Sequence, residues 1–172
     1  MRDRAVAPVS PLAWQDLRFL IALGLMALPV LGVATGASGQ LSLAFLFVIA
    51  AIDALIGERP KLSRPRVWPA DRHAWFSAFL HGYALLQLVL IGWGVWLMSG
   101  GPALGAAMWL GVSIGFVTGS FGITFAHELG HRPGPFDRVV SQLLLTTVCY
   151  GHFHVEHNRG HHARVATPED PA

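Results

Sequence analysis

The sequence predicts an all-α integral membrane protein, with about four transmembrane helices and a short interfacial helix bearing histidine boxes. Three observations point there. The 172 residues are 53% hydrophobic and only 13% charged, with a mean hydropathy of +0.49, a composition too apolar for an ordinary soluble domain. Apolar runs near membrane length alternate with short polar breaks. Seven of the nine histidines follow the last long apolar run.

Residues 1–16 hold Pro8, Pro11 and mixed charges, and read as a mobile or interfacial lead-in. Residues 17–34 form a mostly apolar run with Arg18 at its edge, enough for one bilayer crossing at about 1.5 Å per residue. A signal peptide is the competing reading, because Arg2 and Arg4 precede the run and Ala37 follows it. An h-region is usually shorter, roughly 7 to 15 residues, which favours a retained helix. Residues 35–40 break the run, and residues 41–56 form a second apolar segment interrupted only by Ser42 and Asp53.

Residues 58–73 are a polar, proline-punctuated loop with Arg59, Lys61, Arg64, Arg66 and Arg72. Residues 74–98 are the third segment, with His81 and Gln87 inside it. An uncharged turn at residues 99–102 leads to the fourth segment, residues 103–126. There Gly111, Gly115 and Gly119 recur every fourth residue, a pattern that lets helix backbones approach closely. Residues 139–150 are apolar but too short to span, and predict an interfacial or re-entrant helix.

Charge placement orients these segments. With the N-terminus inside, four crossings put residues 35–40 and 99–102 outside, and neither loop contains Lys or Arg. Short cytoplasmic loops collect basic residues, so both histidine clusters fall on the cytoplasmic side. The pI near 9.2 then reports membrane orientation beside anionic lipid, and gives no argument for nucleic acid. A single cysteine, Cys149, excludes an internal disulfide and a thiolate metal cluster, and reads as a packing residue. Histidine is left to carry any metal chemistry.

His127 and His131, four apart, share one helix face. His157 and His161 repeat that step, while a helical His162 is turned by about 100° from His161. The second cluster can therefore serve two directions, which favours two metals. By the same phase His154 lies on the 157/161 face, with His152 nearby; local hydrogen bonding is the alternative for both. Glu128 and Glu156 adjoin ligand candidates and suit a role orienting an imidazole, with direct ligation by the carboxylate as the alternative. Asp53 inside an apolar segment costs roughly 2.5 to 3.5 kcal/mol at a helix centre, less near the end where it lies, and so needs a partner. That partner is a metal-bound histidine, unless Asp53 snorkels to the interface or pairs with Arg59. His127-Glu128-Leu129-Gly130-His131 also matches the zincin pattern, with Glu128 as base. Iron and zinc both suit imidazole-rich sites, and spacing does not choose between them.

Longer runs are more specific. The residues from Thr124 to Arg132 (TFAHELGHR), Phe136-Asp137-Arg138, those from Tyr150 to His162 (YGHFHVEHNRGHH) and Val165-Ala166-Thr167-Pro168-Glu169-Asp170-Pro171 closely resemble the membrane-bound alkane 1-monooxygenases. Asp53-Ala54-Leu55-Ile56-Gly57 extends the resemblance. It implies a bacterial inner-membrane enzyme with six transmembrane helices and a di-iron site at the cytoplasmic side. Its reaction is hydroxylation of the terminal carbon of medium or long alkanes with O2, using electrons from rubredoxin. The implied iron ligands are His127, His131, His157, His161 and His162, and the resemblance gives no ligand role to His152 or His154. A lipid-soluble substrate needs an apolar route to the metal. Phe45 and Ile49, on the Asp53 face of their helix, are candidates to line it, with ordinary packing the alternative.

Family members carry two further histidine motifs in a C-terminal half, whereas this sequence stops at Ala172. The expectation is a single membrane domain, residues 1–172, forming the N-terminal part of a desaturase-like hydroxylase, with five ligands of a larger set and no turnover on its own. The alternatives are a related aromatic methyl hydroxylase, a desaturase-like enzyme, an intramembrane zinc protease, or a membrane protein without catalysis.

Overall fold

The computed structural model describes residues 19–37, 39–57 and 70–170, and every regular element among them is helical. The N-terminal lead-in and the basic loop at residues 58–69 lie outside the described residues. The first apolar run forms α1 (Leu20–Leu25) and α2 (Ala27–Thr35). The break has a local cause. Pro29 has no N–H for the carbonyl of Leu25, and its ring crowds that carbonyl. Gly36, at φ 74°, ends α2 in the left-handed conformation that glycine adopts without strain.

The second apolar run forms α3 (Gln40–Ile56), the third α4 (Ala70–Ser99), and the fourth α5 (Leu104–Val117). A five-residue π turn, Thr118–Gly122, joins α5 to α6 (Ile123–Gly130) without ending the helix. Two helical stretches, His73–Ser99 and Leu104–Gly130, are long and apolar enough to cross a membrane at 27 residues each. Leu20–Thr35 and Gln40–Leu55 are apolar but shorter. Outward-facing residues are apolar too: Phe47 is 71% exposed, Leu55 86% and Trp96 68%. The described core is itself mostly apolar, with Ser42, Gln87, Ser113, Thr118 and Ser141 as its buried polar residues, so apolar side chains face both inwards and outwards, as a lipid surrounding allows.

The two long stretches run antiparallel. Tyr83 donates to the Val117 carbonyl at 3.2 Å, its ring meets Phe125 edge to face at 4.6 Å, and Arg132 donates to Ser77 at 2.5 Å. Helix α3 runs parallel to α5: Gly39 abuts Trp109 so closely that a Cβ there would stand 2.6 Å from the Trp109 carbonyl oxygen. Three residues on, the buried hydroxyls of Ser42 and Ser113 hydrogen-bond at 2.6 Å. Each of these contacts fixes helix register where apolar packing alone would let it slide.

The sequence pattern placed close helix approach at Gly111, Gly115 and Gly119. The structure moves it elsewhere. Those three glycines have no atom within 4 Å of a built Cβ, while Gly39 meets Trp109 and Gly122 meets the Gln87 amide. Four-residue spacing marks a face that can approach closely; the neighbours decide whether it does. Cys149 is exposed rather than packed, at φ 58° in the turn after the next helix.

That helix, α7 (Pro135–Thr147), begins on Pro135, where a missing N–H costs nothing. It starts four residues before the apolar run that predicted it. Ser141, Leu144 and Leu145 are buried against the preceding helix, and Ser141 donates to the Ala126 carbonyl at 2.6 Å. Helix α7 thus folds back along α6, and its end returns the chain towards His127 and His131. Short elements follow: α8 (Phe153–Val155), a π turn over Glu156–His161 and α9 (His162–Arg164).

Candidate metal centre

Helix α6 supplies the first pair of imidazoles. Phe125, Ala126 and Leu129 bury one face, which leaves His127 and His131 on the other, with Nε2 atoms 2.8 Å apart. The second segment brings His157 and His162 to the same point. His157 Nε2 lies 2.6 Å from His127 Nε2 and 3.3 Å from His131 Nε2, and His162 Nε2 lies 2.9 Å from His157 Nε2. All four ligand atoms fall within 4.8 Å of one another.

Phe153 aims the second segment, stacking on the His157 ring at 4.7 Å, and is itself stacked on Tyr150 at 5.0 Å. The backbone then determines which histidine joins His157. In the π turn the His162 N–H bonds to the His157 carbonyl, five residues back, so positions five apart come into line. An α-helix would align positions four apart. The expected pairing of His157 with His161 is therefore corrected to His157 with His162.

His161 points aside. Its Nδ1 lies 2.9 and 3.0 Å from the two carboxylate oxygens of Asp170, which leaves Nε2 free to act as a donor to metal. Its ring centroid is 5.4 Å from those of His157 and His162. The arrangement has two directions, as adjacent histidines suggested, with the roles of His161 and His162 exchanged. Asp170 was not singled out from the sequence. The available signal was an acid following a Thr-Pro turn shortly after a histidine pair.

The remaining candidates lie apart from the four imidazoles. His152 rests edge to face on Tyr150, and the amide of Asn158 lies against the His154 ring while donating to its carbonyl, the local roles weighed for both. Glu156 is exposed. Glu128 lines a neighbouring cavity, away from the four-histidine group. Parallel register puts Asp53 about level with Thr124, yet Asp53 is exposed and makes no polar contact with the histidines. Ile49 is exposed and Phe45 half-buried. His81 contacts Asp137 at 3.0 Å, not the cluster.

The donor set fits a metal ion. Bonds of about 2.1 Å from one cation to imidazole nitrogens put neighbouring nitrogens roughly 3.0 to 3.4 Å apart, depending on geometry. Four of the nitrogen pairs lie 2.6 to 3.3 Å apart, and the whole set falls within 4.8 Å. Bare lone pairs aimed at one another repel, and a shared cation relieves that repulsion. Burial first, and then the nearby His127, His162, His131 and His161, pull His157 down to about 4. Its ring is therefore neutral at physiological pH, the form that ligates.

Residues 103–172, which contain both histidine segments, match the family model described as fatty acid desaturase. Alkane 1-monooxygenase 1 of Alcanivorax borkumensis is 35% identical over 134 residues, covering 73% of this chain and 31% of its own length. Alkane 1-monooxygenase of Ectopseudomonas oleovorans is 35% identical over 149 residues, covering 78% of the chain and 34% of its own length. That of Pseudomonas putida reaches 51% identity over 63 residues, or 37% of the chain and 15% of its own length. This chain belongs to the alkane 1-monooxygenase family. Its relatives are oxidoreductases by name, and the chain spans about a third of the length of the first two. Within the family, the convergent histidines of this chain are a site that can hold metal.

Proposed function

We propose that this chain forms part of a non-haem di-iron monooxygenase that hydroxylates the terminal carbon of medium or long alkanes with O2 and electrons delivered by rubredoxin. The observation that carries the reading is the convergence of His127, His131, His157 and His162 in a chain whose relatives are named for that reaction. These four imidazoles would hold one ion, and His161, turned by Asp170, faces a second. Ligands from the rest of a longer protein would complete both. Iron held here would supply the oxidant for an unactivated C–H bond, with two electrons from the donor and two protons needed to turn the second oxygen atom into water.

The chain's own part is placement. Neutral imidazoles leave a bound cation more oxidising than thiolates would. Asp170 holds the His161 Nδ1 proton and fixes its tautomer. The apolar helices α3 to α6 keep water from the lipid-facing approach. In the proposed topology four helices cross the bacterial inner membrane, and the histidines face the cytoplasm. Asp53, Glu128 and Glu156 are retained as outer candidates, and Phe45 and Ile49 as channel candidates; none of the five contacts the four imidazoles.

The fatty acid desaturase match favours one second reading, an enzyme that removes hydrogen from an acyl chain. The full-length protein, loaded with iron and supplied with electrons, separates the two when offered an alkane, a methylarene and an acyl substrate. Terminal alcohol from the alkane supports the proposal. Stoichiometric zinc with peptide cleavage, and no O2 uptake, would sink it.

A further inference from the structure

A cavity of about 750 Å³ lies beside the histidine cluster and shares none of its four imidazoles. One wall is aromatic, with Phe19, Trp75 and Phe76, and Phe19 meets Phe76 edge to face at 5.2 Å. Another is charged, with Glu128, Arg132 and Asp137. Asp137 is already engaged, at 3.0 Å from His81 Nε2 and 3.9 Å from Arg132 Nη1. Arg132 spends Nη1 on Ser77 and keeps its other N–H groups. Glu128 stands on α6 and Arg132 two residues beyond its end, and both line the cavity; Glu128 is exposed and has no hydrogen bond or ion pair among the described residues.

Depth adds a second constraint. The lining comes from the His73 end of one long apolar stretch and the Gly130 end of the other, which run antiparallel. In a bilayer both ends stand where hydrocarbon gives way to headgroups, the layer in which Trp and Arg concentrate.

We propose that this cavity binds the headgroup of a phospholipid bearing a primary ammonium and a phosphate. Glu128 accepts hydrogen bonds from the ammonium against the aromatic wall, and Arg132 donates to the phosphate. Ring faces attract cations, and guanidinium groups bind phosphate oxygens by paired N–H donors. A trimethylated ammonium keeps the attraction to the rings but has no N–H for Glu128. A glycerol headgroup has no cation at all. The selectivity expected is ethanolamine over choline over glycerol. The inference rests on the membrane placement proposed above, and its readout, bound lipid, requires no metal.

The test uses the full-length protein, extracted from the membrane fraction in detergent and exposed in turn to phosphatidylethanolamine, phosphatidylcholine and phosphatidylglycerol. Bound lipid is counted by native mass spectrometry. Retention of the ethanolamine lipid should exceed that of the glycerol lipid by about tenfold. Glu128→Gln should bring ethanolamine down to the choline value, and Trp75→Ala should lower both. Soluble glycerophosphoethanolamine in excess should displace the lipid, a measurement that needs no variant. Equal retention of the three lipids, or failure of the soluble headgroup to compete, overturns the proposal. A protein absent from the membrane fraction would instead overturn the membrane placement.

Discussion

His157 and His162 stand five residues apart and bring their Nε2 atoms to 2.9 Å, because the backbone between them is a π turn whose His162 N–H reaches the His157 carbonyl. Gly160 lies inside that turn. Glycine costs about 1 kcal/mol in an α-helix relative to alanine, so the regular register is weakly held there. Gly160→Ala should favour four-residue spacing, draw His162 away from His157 and weaken metal binding. Metal titration of the full-length protein checks this; affinity unchanged with helix content unchanged counts against it.

The carboxylate of Asp170 holds the ring of His161 through Nδ1. Loss of such a partner typically reduces metal affinity or activity by about 10- to 100-fold. Asp170→Asn keeps the shape and removes the charge, and Asp170→Leu removes the hydrogen bond as well. The two should fall in that order, with a changed iron spectroscopic signature and an unchanged circular dichroism spectrum.

Acid should disorder the second histidine segment in metal-free protein. His157 is pulled from the ordinary histidine value of 6.5 to about 4. A base whose folded pKa is depressed contributes its stability above the unfolded value, and that contribution is lost as pH falls towards the folded value. The window is therefore from about 6.5 down to about 4. Imidazole shifts followed by NMR should show His157 remaining neutral through most of it, and the protection of residues 153–164 against hydrogen exchange should fall as pH drops through it.

Ser42 and Ser113 offer a cleaner energetic test. Each hydroxyl is buried and bonded to the other at 2.6 Å. Ser42→Ala leaves Ser113 unpaired at a cost of roughly 1 kcal/mol, within the range of about 0.6 to 1.7 kcal/mol for hydrogen bonds between membrane helices. The double alanine variant should recover part of that loss, since no orphaned group remains. A double-mutant cycle on unfolding free energy reads the coupling directly.

Gly39→Ala should be worse than either serine change. Its Cβ would meet the Trp109 carbonyl oxygen at 2.6 Å, and backbone cannot swing aside as a side chain can. Overpacking of this kind costs about 1 to 3 kcal/mol, visible as a lower thermal midpoint in detergent.

The long helices and the first histidine pair were legible because they depend on local pattern. Segments read as residues 74–98 and 103–126 correspond to helices ending at Ser99 and Gly130, and His127 and His131 converge as their spacing requires. The π turns were not legible. Thr118–Gly122 and Glu156–His161 look helical in composition, but each extra residue rotates the following face by about 100°. That rotation exchanged the roles of His161 and His162. Asp170 escaped for a different reason: its contact with His161 depends on the turn at Thr167, where the Thr167 N–H bonds to the Arg164 carbonyl. A turn of that kind leaves no periodic trace.

No residue of α8, the second π turn or α9 is buried. Their attachment to the rest of the chain runs largely through Phe153, His157 and His162, which meet α6 at the imidazole cluster. An ion shared by His131 and His157 therefore acts as a clasp on the intervening hairpin. Metal binding should steady this stretch, and proteases are expected to cut it more slowly in the loaded protein than in the empty one.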